Sequence, residues 1–184
     1  MLDTLIAYHC APALAGIKPA NIFSCRKSDH PALCRELCSL NSELNKKGIY
    51  LEILCECGKR ALVMLYRKNK LRERLSDAEI SKLLEGFGYP KNADIGLMIE
   101  TLRNRVTDSE EFPHEIGAFL GYPIGDIYGF MNHKNENCLY TGYWRVYGDV
   151  EKCKECFRRY DVCRDAILKR IRNGQSLVKI FCAA

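Results

Sequence analysis

Apolar positions along the chain switch between helical and strand spacing, and the switches mark the elements. Leu2, Leu5, Ile6 and His9 recur at helical spacing, which predicts a helix over 2–10, stopped by Pro12. Residues 13–25 read as extended chain broken by Gly16 and Pro19. Leu33, Leu37, Leu40 and Leu44 form the stripe of a helix over 31–46, and Gly48 follows as its stop. The pattern then changes period. Ile49, Leu51, Ile53, Cys55 and Cys57 alternate on one strand face, Gly58-Lys59 makes a turn, and RALVMLYR is apolar on both faces, as a central strand would be.

From residue 76 the helical period returns. Ser76 with Glu79 reads as a capping box for a helix over 77–86, and a second helix covers about 94–106. A third opens at Pro113 and a fourth spans Gly125–His133. The first and third of these helices end in Gly-Tyr-Pro, so two helix–GYP–helix units stand in tandem. Residues 139–148 read as a strand, 150–172 as a long helix and 176–182 as a last strand. The expected fold is α+β: one domain over residues 1–184 with a small, mostly antiparallel sheet that includes the 48–67 hairpin. A helical section at about 76–133 is inserted in that framework, and a long helix closes the chain.

The 184 residues suffice for one domain with a real core, and 47% hydrophobic with 28% charged residues excludes a disordered or fibrous chain. No apolar run approaches the roughly 18 residues that a membrane span needs, so no membrane partner is expected. The net charge of +5 is spread thinly, with basic runs at Arg67–Arg74 and Lys152–Arg172 that read as solvated faces, so nucleic acid is disfavoured as a partner. The first residues lack a basic leader and carry Asp3, unlike a secretory signal, which predicts a cytoplasmic protein with reduced thiols.

There are 11 cysteines, an odd number that cannot all pair within one chain. Cys153, Cys156, Tyr160, Cys163 and Ile167 follow the stripe of an amphipathic helix, Cys34 and Cys38 sit beside the leucine stripe, and Cys55 and Cys57 share the strand face. Buried core thiols are the preferred reading for these seven, a thiolate metal site the alternative. No metal ligand is assigned and no cofactor is identified. His9 beside Cys10 could make an activated thiol, although a helix C-terminus raises a thiol's pKa. His114-Glu115 could supply an acid or base, or could simply complement a helix dipole. It is not the H-E-x-x-H zinc signature, because Ala118 stands where the second His is needed.

In TGYWRVYGD, Tyr143, Arg145 and Tyr147 would share one strand face and Trp144 the other, so two phenols would flank a guanidinium suited to a planar or anionic ligand. Lys18 and Asn21, in GIKPAN, could hold a phosphate or carboxylate, although a lone Lys is most often just exposed. No P-loop, dinucleotide fingerprint or nucleophile elbow occurs.

Taken in order, HCAPALAGIKPANIFSC, LEILCECGKRALVMLYR, FPHEIGAFLGYPIGDIYGF and TGYWRVYGD resemble a domain-of-unknown-function family, number 3793, of small proteins from anaerobic, clostridial-type bacteria. The resemblance runs from about His9 to Cys163. It implies a free-standing cytoplasmic protein of an anaerobe, in the company of redox and iron metabolism, and no established reaction. The positions in its blocks that could carry chemistry are His9, Cys10, Lys18, His114, Glu115, Asp126, Tyr143, Trp144 and Tyr147.

Two main readings follow. The first is a small-ligand-binding or accessory protein that holds a small anionic or planar ligand between the His9–Asn21 segment and the aromatic segment. It would use Lys18, Asn21, Asp126, Tyr143, Trp144, Arg145 and Tyr147, and a redox partner protein would fit its setting. The second is a thiol-dependent enzyme that uses Cys10 with His9 or His114, aided by Glu115. A cysteine-ligated metal protein is a further alternative.

Overall fold

The alternating segment builds the sheet. In the computed structural model, which describes residues 1–108, 111–134 and 136–182 apart from the side chain of Cys57, strands β2 (Ile49–Cys57) and β3 (Arg60–Arg67) form the expected antiparallel hairpin. The expectation for the Cys57 side chain lies outside the described residues. A bulge between Ile53 and Cys55 breaks the alternation and turns Leu54 inward. Strand β1 (Ala20–Arg26) pairs antiparallel with the other edge of β3, Ala20 opposite Tyr66, so the order is β1-β3-β2. β3 is central, as its two apolar faces require.

Each face of β3 carries its own core. Ala61, Val63 and Leu65 face a cluster made by α1 (Leu2–Leu14), α2 (Leu33–Leu44), the end of α8 (Val150–Arg172) and α9 (Leu177–Cys182). Met64 and Tyr66 face a second cluster made by α3 (Lys68–Leu75), α4 (Ala78–Glu85), α5 (Ile95–Asp108), α6 (Ile116–Phe119) and α7 (Ile124–His133). A third cluster packs Trp144 and Val146 against Cys153, Phe157 and Tyr160 of α8, around a short hairpin of β4 (Tyr140–Thr141) and β5 (Arg145–Val146). The result is a single α+β domain with a small antiparallel sheet between two helical layers.

Several boundaries differ from the sequence reading, each for a local reason. α1 does not stop at Pro12 but runs on to Leu14. Pro12 lacks an N–H and weakens the last turn, which side chains then hold. The Ala13 N–H donates to Asn21 Oδ1 at 3.1 Å, and the Arg67 guanidinium donates to the Ala13 carbonyl at 3.1 Å and to the Leu14 carbonyl. α4 is capped by Asp77, which accepts from the Glu79 and Ile80 N–H groups, rather than by Ser76. The helix expected from Pro113 is a turn followed by the single turn of α6.

Residues 139–148 are not one strand. Gly142 lies in a tight turn between β4 and β5, against the Phe157 ring, where any Cβ would collide. Residues 177–182 are helical, not extended. Ser176 Oγ accepts from the Lys179 N–H at 3.1 Å and Asp3 Oδ2 from the Leu177 N–H at 2.9 Å, so two caps outweigh the β-branched composition. Cys34 and Cys38 are exposed on the outer flank of α2, which corrects their assignment as core thiols, whereas Cys153 is buried.

Candidate functional site

The second GYP turn places the site. Gly121 closes α6 with φ +73°, and a Cβ there would lie 2.7 Å from Pro19 Cδ, so only glycine lets the two segments meet. The next residue, Tyr122, thereby reaches Lys18. On the other side, the Pro12 carbonyl accepts from the Ile17 N–H at 2.7 Å and the Lys18 N–H at 3.1 Å, fixing the backbone that carries the lysine. α8, packed along α1, brings Tyr160 and Arg164 to the same place.

These segments enclose a chamber of about 230 Å³ lined by Tyr8, His9, Lys18, Asn21, Ile22, Leu120, Tyr122, Tyr143 and Arg164. Lys18 is 2% exposed, and its Nζ lies 5.1 Å from the Tyr122 ring centroid and 5.6 Å from that of Tyr160. Among the described residues no carboxylate lies within ion-pair distance of it. Burial pushes its ammonium down to about 8, with the Cys10 and Cys156 thiols pulling it part of the way back. Arg164 is held differently: it donates to Asp161 at 2.7 Å and to the Tyr143 hydroxyl at 2.8 Å, and Tyr143 donates to Asp161 at 2.9 Å. Burial and then the bond to Asp161 raise the Tyr143 phenol. Asn21 must turn its oxygen to the Ala13 N–H, which leaves its NH₂ edge to offer the chamber. His9 stands at the mouth, and partial burial and then Arg164 lower its imidazole, favouring the neutral form at pH 7. Asp161 and, at 4.0 Å, Asp165 balance Arg164 from outside the lining, whereas the lining itself holds Lys18 and Arg164 and, among the described residues, no Asp or Glu.

A second, apolar chamber of about 430 Å³ lies beside it and shares Ile22, Leu120 and Tyr122 with it. His114, Asp126, Trp144 and Arg145 line this one. The His114 ring packs edge-on against Phe130 at 4.8 Å, and the Arg145 guanidinium lies over the same ring at 5.5 Å.

A model of the family described as a protein of unknown function (DUF3793) matches residues 6–181. The chain belongs to this family. No curated protein and no solved structure gives a significant match.

His9, Lys18, Asn21 and Tyr143, singled out in the sequence, share one chamber, while His114, Asp126, Trp144 and Arg145 fall in the other. The expected face of Tyr143, Arg145 and Tyr147 does not form, because the turn splits the segment. Tyr143 meets Arg164, Arg145 covers Phe130, and Tyr147 packs on Gly129 with its hydroxyl on the Lys134 carbonyl, outside both chambers.

Asp126 lines the second chamber, but its oxygens are already engaged by the fold. Its Oδ2 accepts from Trp144 Nε1 at 2.7 Å, and its Oδ1 from the Tyr147 and Gly148 N–H groups at 2.8 and 3.0 Å, so its valences go to folding rather than to a ligand. Glu115 is 1% exposed, ion-paired with Arg105 and accepting from the Tyr89 hydroxyl at 3.3 Å; it lines neither chamber, away from His114. It makes no side-chain cap on α6.

Cys10 has no exposed surface, and burial drives its thiol far above the usual range against the pull of Lys18. These surroundings are the opposite of those that activate a thiol. Among the described residues no group of three or more His, Cys, Asp or Glu is placed to hold a metal ion, and no helix is long and apolar enough to cross a membrane.

Sequence reasoning missed Tyr122, Tyr160 and Arg164. Tyr122 lay in the GYP turn, read only as a stop signal, and Arg164 in a basic run read as a solvated face. A signal was present for both helical residues: Arg164 follows Tyr160 by four positions, beside the apolar stripe of α8.

Proposed function

We propose that the protein binds a small oxyanion, a carboxylate or a phosphate, in the Lys18–Arg164 chamber. One observation carries the reading: Lys18 is a buried cation with no carboxylate partner among the described residues, facing a chamber of about 230 Å³. A buried charge costs several kcal/mol unless it is paired, by order of magnitude, and the two flanking rings recover only about 1–2 kcal/mol of this. A bound anion supplies the missing charge. Arg164, already oriented by Asp161 and Tyr143, offers its remaining N–H groups and Asn21 its NH₂ edge. The reading carries no redox or iron element and rests on the chamber alone.

Calorimetric titration at low salt with acetate, pyruvate and inorganic phosphate tests it. The reading expects saturable, one-to-one binding of at least one of these, lost in Lys18→Met. No heat from any of the three, or equal heat from the variant, overturns it. The acetate and phosphate arms separate the two anion classes.

A further inference from the structure

We infer that Lys18 forms a reversible imine with a small oxo acid whose carboxylate is held by Arg164. The inference rests on the anion-binding reading and adds to it the carbonyl group of the ligand and a covalent step.

The geometry favours an amine nucleophile over a plain electrostatic contact. Lys18 sits on a fixed backbone between the Pro12 carbonyl contacts and Pro19, and its side chain ends between two aromatic rings. Among the described residues no carboxylate lies within ion-pair distance of it, whereas Arg164 has Asp161 and Asp165. The chamber therefore holds two unlike cations: a guanidinium that cannot give up its proton, anchored by Asp161 and Tyr143 with one N–H on each terminal nitrogen left for a ligand carboxylate, and an amine that can react. Burial, which brings the ammonium down to about 8, makes the free amine accessible near neutral pH. The aromatic walls limit the water that would reverse the reaction. A volume of about 230 Å³ matches an acid of a few carbon atoms.

The step balances without any further reagent. The ammonium of Lys18 loses one proton, and its nitrogen pair attacks the carbonyl carbon. A C–N bond forms as the C=O π bond breaks, giving a carbinolamine. The nitrogen then loses a second proton, the oxygen having gained both, and water leaves. Ammonium plus carbonyl gives protonated imine plus water, with charge conserved and nothing oxidised or reduced.

The test uses the whole wild-type chain, pyruvate and sodium cyanoborohydride, which delivers hydride to an imine and fixes it as a secondary amine. Peptide mapping by mass spectrometry then locates the N-(1-carboxyethyl) lysine. The expected result is modification of Lys18 about tenfold or more above any other lysine, as its lowered basicity implies. It should be suppressed by excess acetate, absent with acetone, which has no carboxylate, and absent in Lys18→Arg. Modification spread over surface lysines, or a Lys18 that stays unmodified while pyruvate binds in calorimetry, overturns the imine and leaves the anion site standing. Absence of the adduct together with absence of heat from acetate, pyruvate and phosphate overturns the two together, and absence of adduct and of pyruvate binding while phosphate binds overturns the imine alone.

Discussion

Asp126 and Lys18 are both buried charges, at 4% and 2% exposure, and the molecule treats them in opposite ways. Asp126 accepts hydrogen bonds from Trp144, Tyr147, Gly148 and the Cys153 thiol and so ties the short hairpin and α8 to α7. Its charge is spent on the fold. Lys18 has two ring faces and an open chamber, and no carboxylate among the described residues. A charge buried with its partners is architecture, whereas one buried without them is a cost that a ligand can relieve. Glu115, paired with Arg105 and Tyr89, belongs with Asp126. Burial of a titratable group therefore does not by itself mark a ligand site in this protein; on the proposed reading, the absence of a partner does.

The largest effect should come from breaking the satisfied charge. Asp126→Asn keeps the shape but sets an NH₂ against N–H donors, and should cost about 3 kcal/mol in chemical denaturation. Emission from Trp144, the one tryptophan, should shift as its indole bond is lost.

The unsatisfied charge should respond with the opposite sign. Lys18→Met should stabilise the protein by about 2 kcal/mol at pH 7 while abolishing anion binding. The pH dependence follows from linkage. The folded Lys18 titrates near 8, below its ordinary 10.5, so the unfolded chain holds the proton more tightly. The penalty is present in full below about 8 and fades as pH rises from there towards 10.5. The stability gap between wild type and variant should close over that window. A constant gap, or a less stable variant, would break the comparison.

A smaller effect sharpens it. Arg67→Gln removes the donor to the Ala13 and Leu14 carbonyls at the end of α1, and should cost about 1 kcal/mol. Because Lys18 hangs from the same turn, anion affinity should weaken more than this stability loss alone implies, and paired melting and titration experiments would show whether it does.

The sheet was legible because its signal is local. Alternation over 48–57 and the doubly apolar 60–67 gave the hairpin and the central position of β3, and the stripe of α8 was equally plain. What escaped depends on distant partners. α3 shows only Leu71 and Leu75 as buried positions in a run otherwise rich in charge, and α9 owes its helical form to caps that include Asp3, far away in sequence. The site divides along the same line. Lys18 could be noticed in the sequence as a cation beside broken backbone. Its burial, which gives it meaning, is made by Tyr122 and Tyr160 from elsewhere in the chain, and no local pattern joins them.

The most direct test is the titration of Lys18 itself, followed by NMR on protein carrying ¹³Cε-lysine and assigned by the resonance that disappears in Lys18→Met. An unpartnered buried ammonium should titrate near 8, and saturating acetate should move that midpoint upward by favouring the charged form. A midpoint close to 10.5 that acetate does not move would mean that Lys18 is an ordinary solvated lysine, and would contradict the account.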